Sequence, residues 1–129
     1  MKTYTDYNFY SNTYKGNMPA EDFNRLVIGA SYEVRNRIFN RDITGFEEDV
    51  QLATCSVADV LLKIETLENK KNAEVSERKI KTESVGDYSR TFESTTISDI
   101  EAQISNQKEK IKEELKKYLL YTGLLYRGV

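Results

Sequence analysis

The chain has 129 residues, a formal net charge of −2, one cysteine and no histidine. That length suits a single domain, which buries roughly two-thirds of its unfolded surface and needs no covalent staples. The lone Cys55 excludes an intrachain disulfide, so nothing asks for an oxidising compartment. A hydrophobic share of 39% against a charged share of 31% suits thin helical packing with much solvated or partner-facing surface, without reaching the disordered class. Lysine and arginine are interspersed with acids, which leaves no concentrated basic footprint for a phosphate backbone.

Residues 1–17 are dense in aromatics (Tyr4, Tyr7, Phe9, Tyr10 and Tyr14) separated by small polar residues. Such a segment forms a turn or short helix that pins its rings on a core, or an assembly surface. It lacks the apolar run of a signal peptide. The first clear helix opens at Asn17-Met18-Pro19, with proline at the first helical position and Glu21 and Asp22 in the first turn. Phe23, Leu26, Val27, Ala30, Val34 and Ile38 recur at helical spacing and mark one buried stripe. Ile43-Thr44-Gly45 reads as a break, and Thr44 with Glu47 fits a capping box.

A second helix is expected from about Phe46 to about Asn72, with Val50, Ala53, Thr54, Val57, Ala58, Leu61 and Ile64 on its apolar face and Leu62 widening it. The small residues at 53 and 58 would admit a close neighbour, and Cys55 reads as a small buried residue. Past Leu67 the stretch ENKKNAEVSERK reads as a solvated helix end and linker. Residues 79–93, KIKTESVGDYSRTFE, fit a β-hairpin with Gly86-Asp87 as a type II′ turn. That register sets Val85 against Tyr88, Glu83 against Arg90 and Thr82 against Thr91, all favourable cross-strand neighbours. The alternative is a polar loop packed on its own helices. Ser98 and Glu101 then fit a second capping box, opening a long helix with Ile100, Ile104, Ile111, Leu115, Tyr118 and Leu119 as its stripe. A coiled coil would need three or four sustained heptads, and the stripe is interrupted at Gln107-Lys108. The segment 118–129 ends apolar, unlike most termini; Gly123 suits a left-handed cap. It either folds back on the domain or docks on another chain. Its least polar run, Tyr118 to Tyr126, is far shorter than the roughly 20 residues of a membrane span, so a cytosolic or particle-associated protein is expected. The fold class that follows is all-α: three main helices with a short β-hairpin or extended loop inserted before the long C-terminal one.

The usual chemistries lack their residues. Without histidine the common general base is missing, and with it the usual partner of a serine or cysteine nucleophile. One cysteine cannot build a thiolate zinc site, and the six glycines are scattered rather than gathered in a phosphate loop. Glu47, Glu48 and Asp49 could hold a hard cation, but acids in a first helical turn are more simply explained by the dipole. No catalytic, cofactor-binding or metal residues are assigned, and catalysis is not expected.

An aromatic N-terminal segment, two short helices, a V-G-x-Y-S element and a long closing helix together resemble the head–tail connector (adaptor) proteins of long-tailed bacteriophages and prophages. The nearest similarity is the cassette Ile80-Lys81-Thr82-Glu83-Ser84-Val85-Gly86-Asp87-Tyr88-Ser89, since members carry a similar SE-x-VG-x-YS stretch before their terminal helix. Asp22-Phe23-Asn24-Arg25-Leu26 and Thr122-Gly123-Leu124-Leu125 are also similar, so the resemblance spans nearly the whole chain. Thr82 stands where serine is commoner, and Arg90 adds a charge just past the cassette. The resemblance implies a single connector-like domain over 1–129 that forms a ring under the portal, extends the DNA channel and links capsid to tail. Its partners would be further copies of itself in a closed head-to-tail ring of on the order of a dozen, the portal, a downstream head-completion or tail protein, and DNA in transient non-specific passage. No membrane, enzymatic activity or cofactor is implied, and the location would be the virion head–tail junction after synthesis in the host cytoplasm. The candidate interface comprises Val85, Gly86, Asp87 and Tyr88 with Tyr118, Tyr121, Leu124, Leu125 and Tyr126. The alternative reading is a small helical regulatory or partner-binding protein acting as a dimer.

Overall fold

In the computed structural model, which describes residues 3–39, 41–84 and 87–125 with side chains at 3–39, 41–75 and 97–125, helices account for most of the chain. A one-turn helix α1 (Tyr7–Phe9) runs into a π-helical turn (Tyr10–Tyr14), followed by α2 (Ala20–Ile38), α3 (Glu47–Ser84), α4 (Asp87–Leu119) and a 3-10 turn (Leu120–Thr122). No strand occurs among the described residues. Two compact units are distinguished, Met1–Leu62 with Lys110–Val129, and Lys63–Glu109.

The first unit is built around the start of α3. Ala53 through Ala58 are six consecutive buried residues, and a helix buried on every side is a core helix. All six are small, so neighbours approach from every direction; Thr54 returns its hydroxyl to the Val50 carbonyl at 2.8 Å. Buried in the same unit are the α2 stripe of Phe23, Val27, Ala30, Val34 and Ile38, the α4 residues Ile111, Leu115 and Leu119, and Tyr10 of the aromatic segment. The stripe was legible because its periodicity is that of a half-buried helix.

The N-terminal segment is held by tyrosine hydroxyls. Tyr10, 1% exposed, lies with its ring centroid 4.7 Å from Phe23 and 5.4 Å from Tyr14. Its hydroxyl donates to Asp59 Oδ1 at 2.6 Å and accepts from the Met18 N–H at 3.1 Å. Tyr14 donates to the other oxygen of Asp59 at 3.0 Å, and Tyr7 donates to the Met18 carbonyl at 2.9 Å. Both backbone groups of Met18 are thus satisfied by phenols immediately before α2. Pro19 sits just outside the helix as its N-cap, one position earlier than expected, with Glu21 and Asp22 in the first turn. The chain leaves the aromatic segment through Lys15 in the left-handed region and then Gly16. A Cβ at Gly16 would lie 2.0 Å from Tyr10 Cζ, so only glycine fits beside that ring.

The capping box expected of Thr44 and Glu47 is corrected. Gly45 turns at φ +90°, which makes Glu47 the first helical residue rather than the third. Thr44 donates to Asp42 Oδ1 at 2.6 Å instead, and the Glu47 carboxylate accepts from the Gly45 N–H at 3.0 Å.

The second unit is an antiparallel helix pair, the end of α3 against the start of α4, with Ile97, Ile100 and Ile104 buried along α4 and Lys71 paired to Glu101 at 3.2 Å. Three sequence expectations are corrected here. The second helix runs through ENKKNAEVSERK to Ser84, and the last helix starts at Asp87, so Ser98 and Glu101 lie inside it. Residues 79–84 and 87–93 are helical, which removes the strands that would have set Glu83 against Arg90 and Thr82 against Thr91; Val85 and Gly86 lie outside the described residues. An uncovered two-stranded ribbon is marginal in water, whereas these Lys-, Glu- and Ser-rich flanks satisfy their backbone inside a helix without a neighbour.

Two glycines give a paired test. Gly16→Ala forces a rigid buried ring aside and is expected to cost about 1–3 kcal/mol. Gly29→Ala places a Cβ at an ordinary 3.5 Å from Leu61 Cδ1 and removes a helix-interior glycine, for an expected gain of about 0.5–1 kcal/mol. Urea midpoints of the two variants should move in opposite directions.

The buried phenols and thiol give a pH test. Burial pushes the Cys55 thiol from its ordinary 9.0 up to about 12. Burial, then the hydrogen bond to Asp59, raises Tyr10, and burial, then the negative charge of Asp59, raises Tyr14. The folded chain keeps these protons while the unfolded chain releases them, so this stability is full below pH 9 and falls as pH rises through 9 to 12. Denaturant midpoints should decline from about pH 9 upward, and Cys55→Ala should remove the earliest part of that decline.

Candidate functional site

Helix α4 ends by design of its sequence: the 3-10 turn tightens it, and Gly123, at φ +77°, supplies the left-handed residue expected of it. Thr122 donates its hydroxyl to the Leu119 carbonyl at 2.6 Å and accepts from the Leu124 N–H at 3.1 Å. These bonds reverse the chain so that Leu124, 4% exposed, enters the core of the first unit. Arg41, from the loop after α2, donates to the Leu124 carbonyl at 3.0 Å. As far as Leu124, then, the tail folds back on its own unit.

The same end of the chain also offers apolar surface. Leu120 is 53% and Tyr121 77% exposed. Tyr121 donates to Asp49 Oδ1 at 3.2 Å, and the charge of Asp49 raises its hydroxyl pKa. Tyr118 is half-buried, with the Lys117 ammonium 5.4 Å from its ring centroid. Leu125 is half-buried and lines a cavity of about 420 Å³ together with Phe39, Leu115, Arg37, Lys112 and Lys116.

Of the residues expected at an interface, Tyr121 is accessible, Tyr118 and Leu125 are partly so, and Leu124 is a core residue. The backbone of Asp87 and Tyr88 opens α4, and Val85, Gly86 and Tyr126 lie outside the described residues. The acids Glu47 and Asp49 serve local bonds to Gly45 and Tyr121. Among the described residues no cluster of three or more His, Cys, Asp or Glu is placed to hold a metal, and no helix is long and apolar enough to cross a membrane.

One surface escaped the sequence reading. Ile28 and Tyr32 are 48% and 45% exposed on α2, one helical turn apart and outside the buried stripe, with the Arg35 guanidinium 4.9 Å from the Tyr32 centroid. The signal was present: Ile28 and Tyr32 keep helical spacing with each other, yet neither falls in register with Phe23, Val27, Ala30 and Val34.

The two leucine-rich ends of the tail separate core from surface experimentally. Leu124→Ser is expected to cost about 2–5 kcal/mol as a large-to-small core change. Tyr121→Ser should stay within about 0.5 kcal/mol of the parent. Thermal unfolding followed by circular dichroism measures both.

No known protein family matches the chain, no curated protein matches its sequence, and no solved structure matches its fold.

Proposed function

We propose that the chain is a structural head–tail connector of a bacteriophage or prophage, acting without catalysis or cofactor. The observation that carries this reading is a pair of separate exposed apolar patches on the first unit, Ile28 with Tyr32 on α2 and Leu120 with Tyr121 after α4. A closed head-to-tail ring joins two different surfaces of each subunit, and two unlike patches on different elements meet that requirement. The resemblance of the 80–89 cassette, the Asp22–Leu26 start and the Thr122–Leu125 end supports the same reading.

In this reading the subunits form a ring under the portal, extend the DNA channel and present a face to the next head-completion or tail protein. In the same reading the cassette from Val85 to Tyr88 meets a neighbouring subunit or the channel, with Asp87 and Tyr88 at the start of α4. Tyr118, Tyr121, Leu125 and Tyr126 contribute to docking on the portal or the adjacent subunit. A net charge of −2 lets DNA pass without the strong counterion-release binding of a basic groove.

Electron microscopy of an induced lysate from a strain deleted for the gene tests the role. Separate tails beside unattached heads are expected, and complementation with Ile28→Ser/Tyr32→Ser should fail to restore joined particles. Intact tailed particles from the deletion strain would refute the connector role. A two-fold dimer of the purified chain would then favour a regulatory protein.

A further inference from the structure

The cavity beside Leu125 has a set of cations that none of the foregoing uses. Its floor is apolar, from Phe39, Leu115 and Leu125, and its rim carries the three cations Arg37, Lys112 and Lys116. Among the described residues no acid lines it, and none of the three cations forms an ion pair or side-chain hydrogen bond there. Contrast the groove of the second unit, where Glu68 and Glu101 face Lys71 and Lys108 and the charges cancel.

Helix ends account for part of the positive rim. Arg37 lies in the last turn of α2, and Lys112 and Lys116 lie toward the end of α4. Each helix C-terminus carries about half a negative charge, so two ends offset roughly one of the three cations. About two positive charges remain over an apolar floor. The volume of about 420 Å³ falls in the range of real recognition pockets, about 300–1,000 Å³, and accommodates one bulky side chain with its flanking backbone. Three cations are too few for nucleic acid, whose binders typically make about 6–10 phosphate contacts.

We infer that this cavity docks an acidic segment of another protein, one bulky apolar side chain seated on Phe39, Leu115 and Leu125 and flanking carboxylates paired with Arg37, Lys112 and Lys116. Complementary charge gives such a site its selectivity and its salt dependence. The inference shares Leu125 with the connector reading but is tested separately: particle morphology tests that one, and peptide binding to the purified chain tests this one.

The experiment measures fluorescence anisotropy of a rhodamine-labelled peptide with four glutamates around a central phenylalanine, titrated with the full chain. Controls replace the glutamates by lysines or the phenylalanine by serine. Binding of the acidic peptide alone, weakening about tenfold or more between low and physiological salt, is expected. Lys112→Glu/Lys116→Glu should abolish it, Lys112→Gln/Lys116→Gln should weaken it less, and Leu125→Ser should erase the preference for phenylalanine over serine. Circular dichroism checks that each variant stays folded; both lysines are exposed, and the glutamine pair avoids placing acids near a helix end. Equal binding of acidic and basic peptides, or binding indifferent to the lysine variants, overturns the proposal. So does displacement of the peptide by dodecanoate at matching concentration, which makes the site one for amphipathic small molecules. A self-associated chain that the peptide dissociates would make a second copy the occupant and overturns it equally.

Discussion

One carboxylate organises the first unit. Asp59 accepts a hydrogen bond from Tyr10 on one oxygen and from Tyr14 on the other, and bonds of this kind to a charged acceptor contribute about 1.5–3 kcal/mol each. Through them the aromatic segment is fixed on α3, and through Tyr10 and Tyr7 the peptide of Met18 is fixed at the entrance to α2. The geometry works only because two neighbours stay small. Gly16 leaves room for the Tyr10 ring, and the turn from Ala53 to Ala58 has no long side chain to hold α2, α4 and the rings apart. A segment that reads as loose aromatic punctuation is therefore the latch on which α2 is mounted.

Sequence reading succeeded where burial is one-sided and failed where it is narrow. The α2 stripe, the break at Gly45, the buried Cys55 and the left-handed Gly123 each leave a local signature of periodicity, backbone freedom or size. The second unit does not. Its helix pair needs little more than the seam of Ile97, Ile100 and Ile104, so most positions on both helices are solvated and polar, like a linker. Gln107 continues that seam at helical spacing with its Oε1 buried and without a protein partner among the described residues, and a polar residue there reads as an interruption. Gly86-Asp87 reads as a turn signal whether strands or helices flank it, so the pair alone does not choose between them. The apolar tail was conspicuous, but only the bonds of Thr122 and Arg41 decide that Leu124 turns inward while Tyr121 stays outside. The basic rim was invisible for another reason: Arg37 and Lys112 are remote in sequence, and each taken alone is an ordinary cation near a helix end.

The buried titratable groups share one electrostatic direction. Cys55, Tyr10 and Tyr14 are all driven toward the neutral, protonated form, away from the pH range where proton transfer to or from a substrate is efficient. Their hydroxyl and thiol protons are spent inside the fold. What the first unit leaves outward is of another kind: aliphatic and aromatic side chains at Ile28, Tyr32, Leu120 and Tyr121, and uncompensated cations around Phe39. Such apolar features gain free energy by being covered, which is the property the proposed connector role draws on.

Charge distribution makes these two properties compatible. Opposite charges are interspersed over most of the chain, so its long-range field is weak, and a polyanion passing at more than a Debye length, about 8 Å at physiological ionic strength, feels little of it. The rim of Arg37, Lys112 and Lys116 acts only at contact, where a docked side chain would cover the apolar lining. An acidic segment that buries a side chain there gains both terms at once. A DNA backbone, which has no apolar group to bury in such a floor, gains only the charge of a few contacts and loses it as salt rises. In the proposed connector role, a subunit of this composition would stand beside DNA without holding it and still select a protein partner.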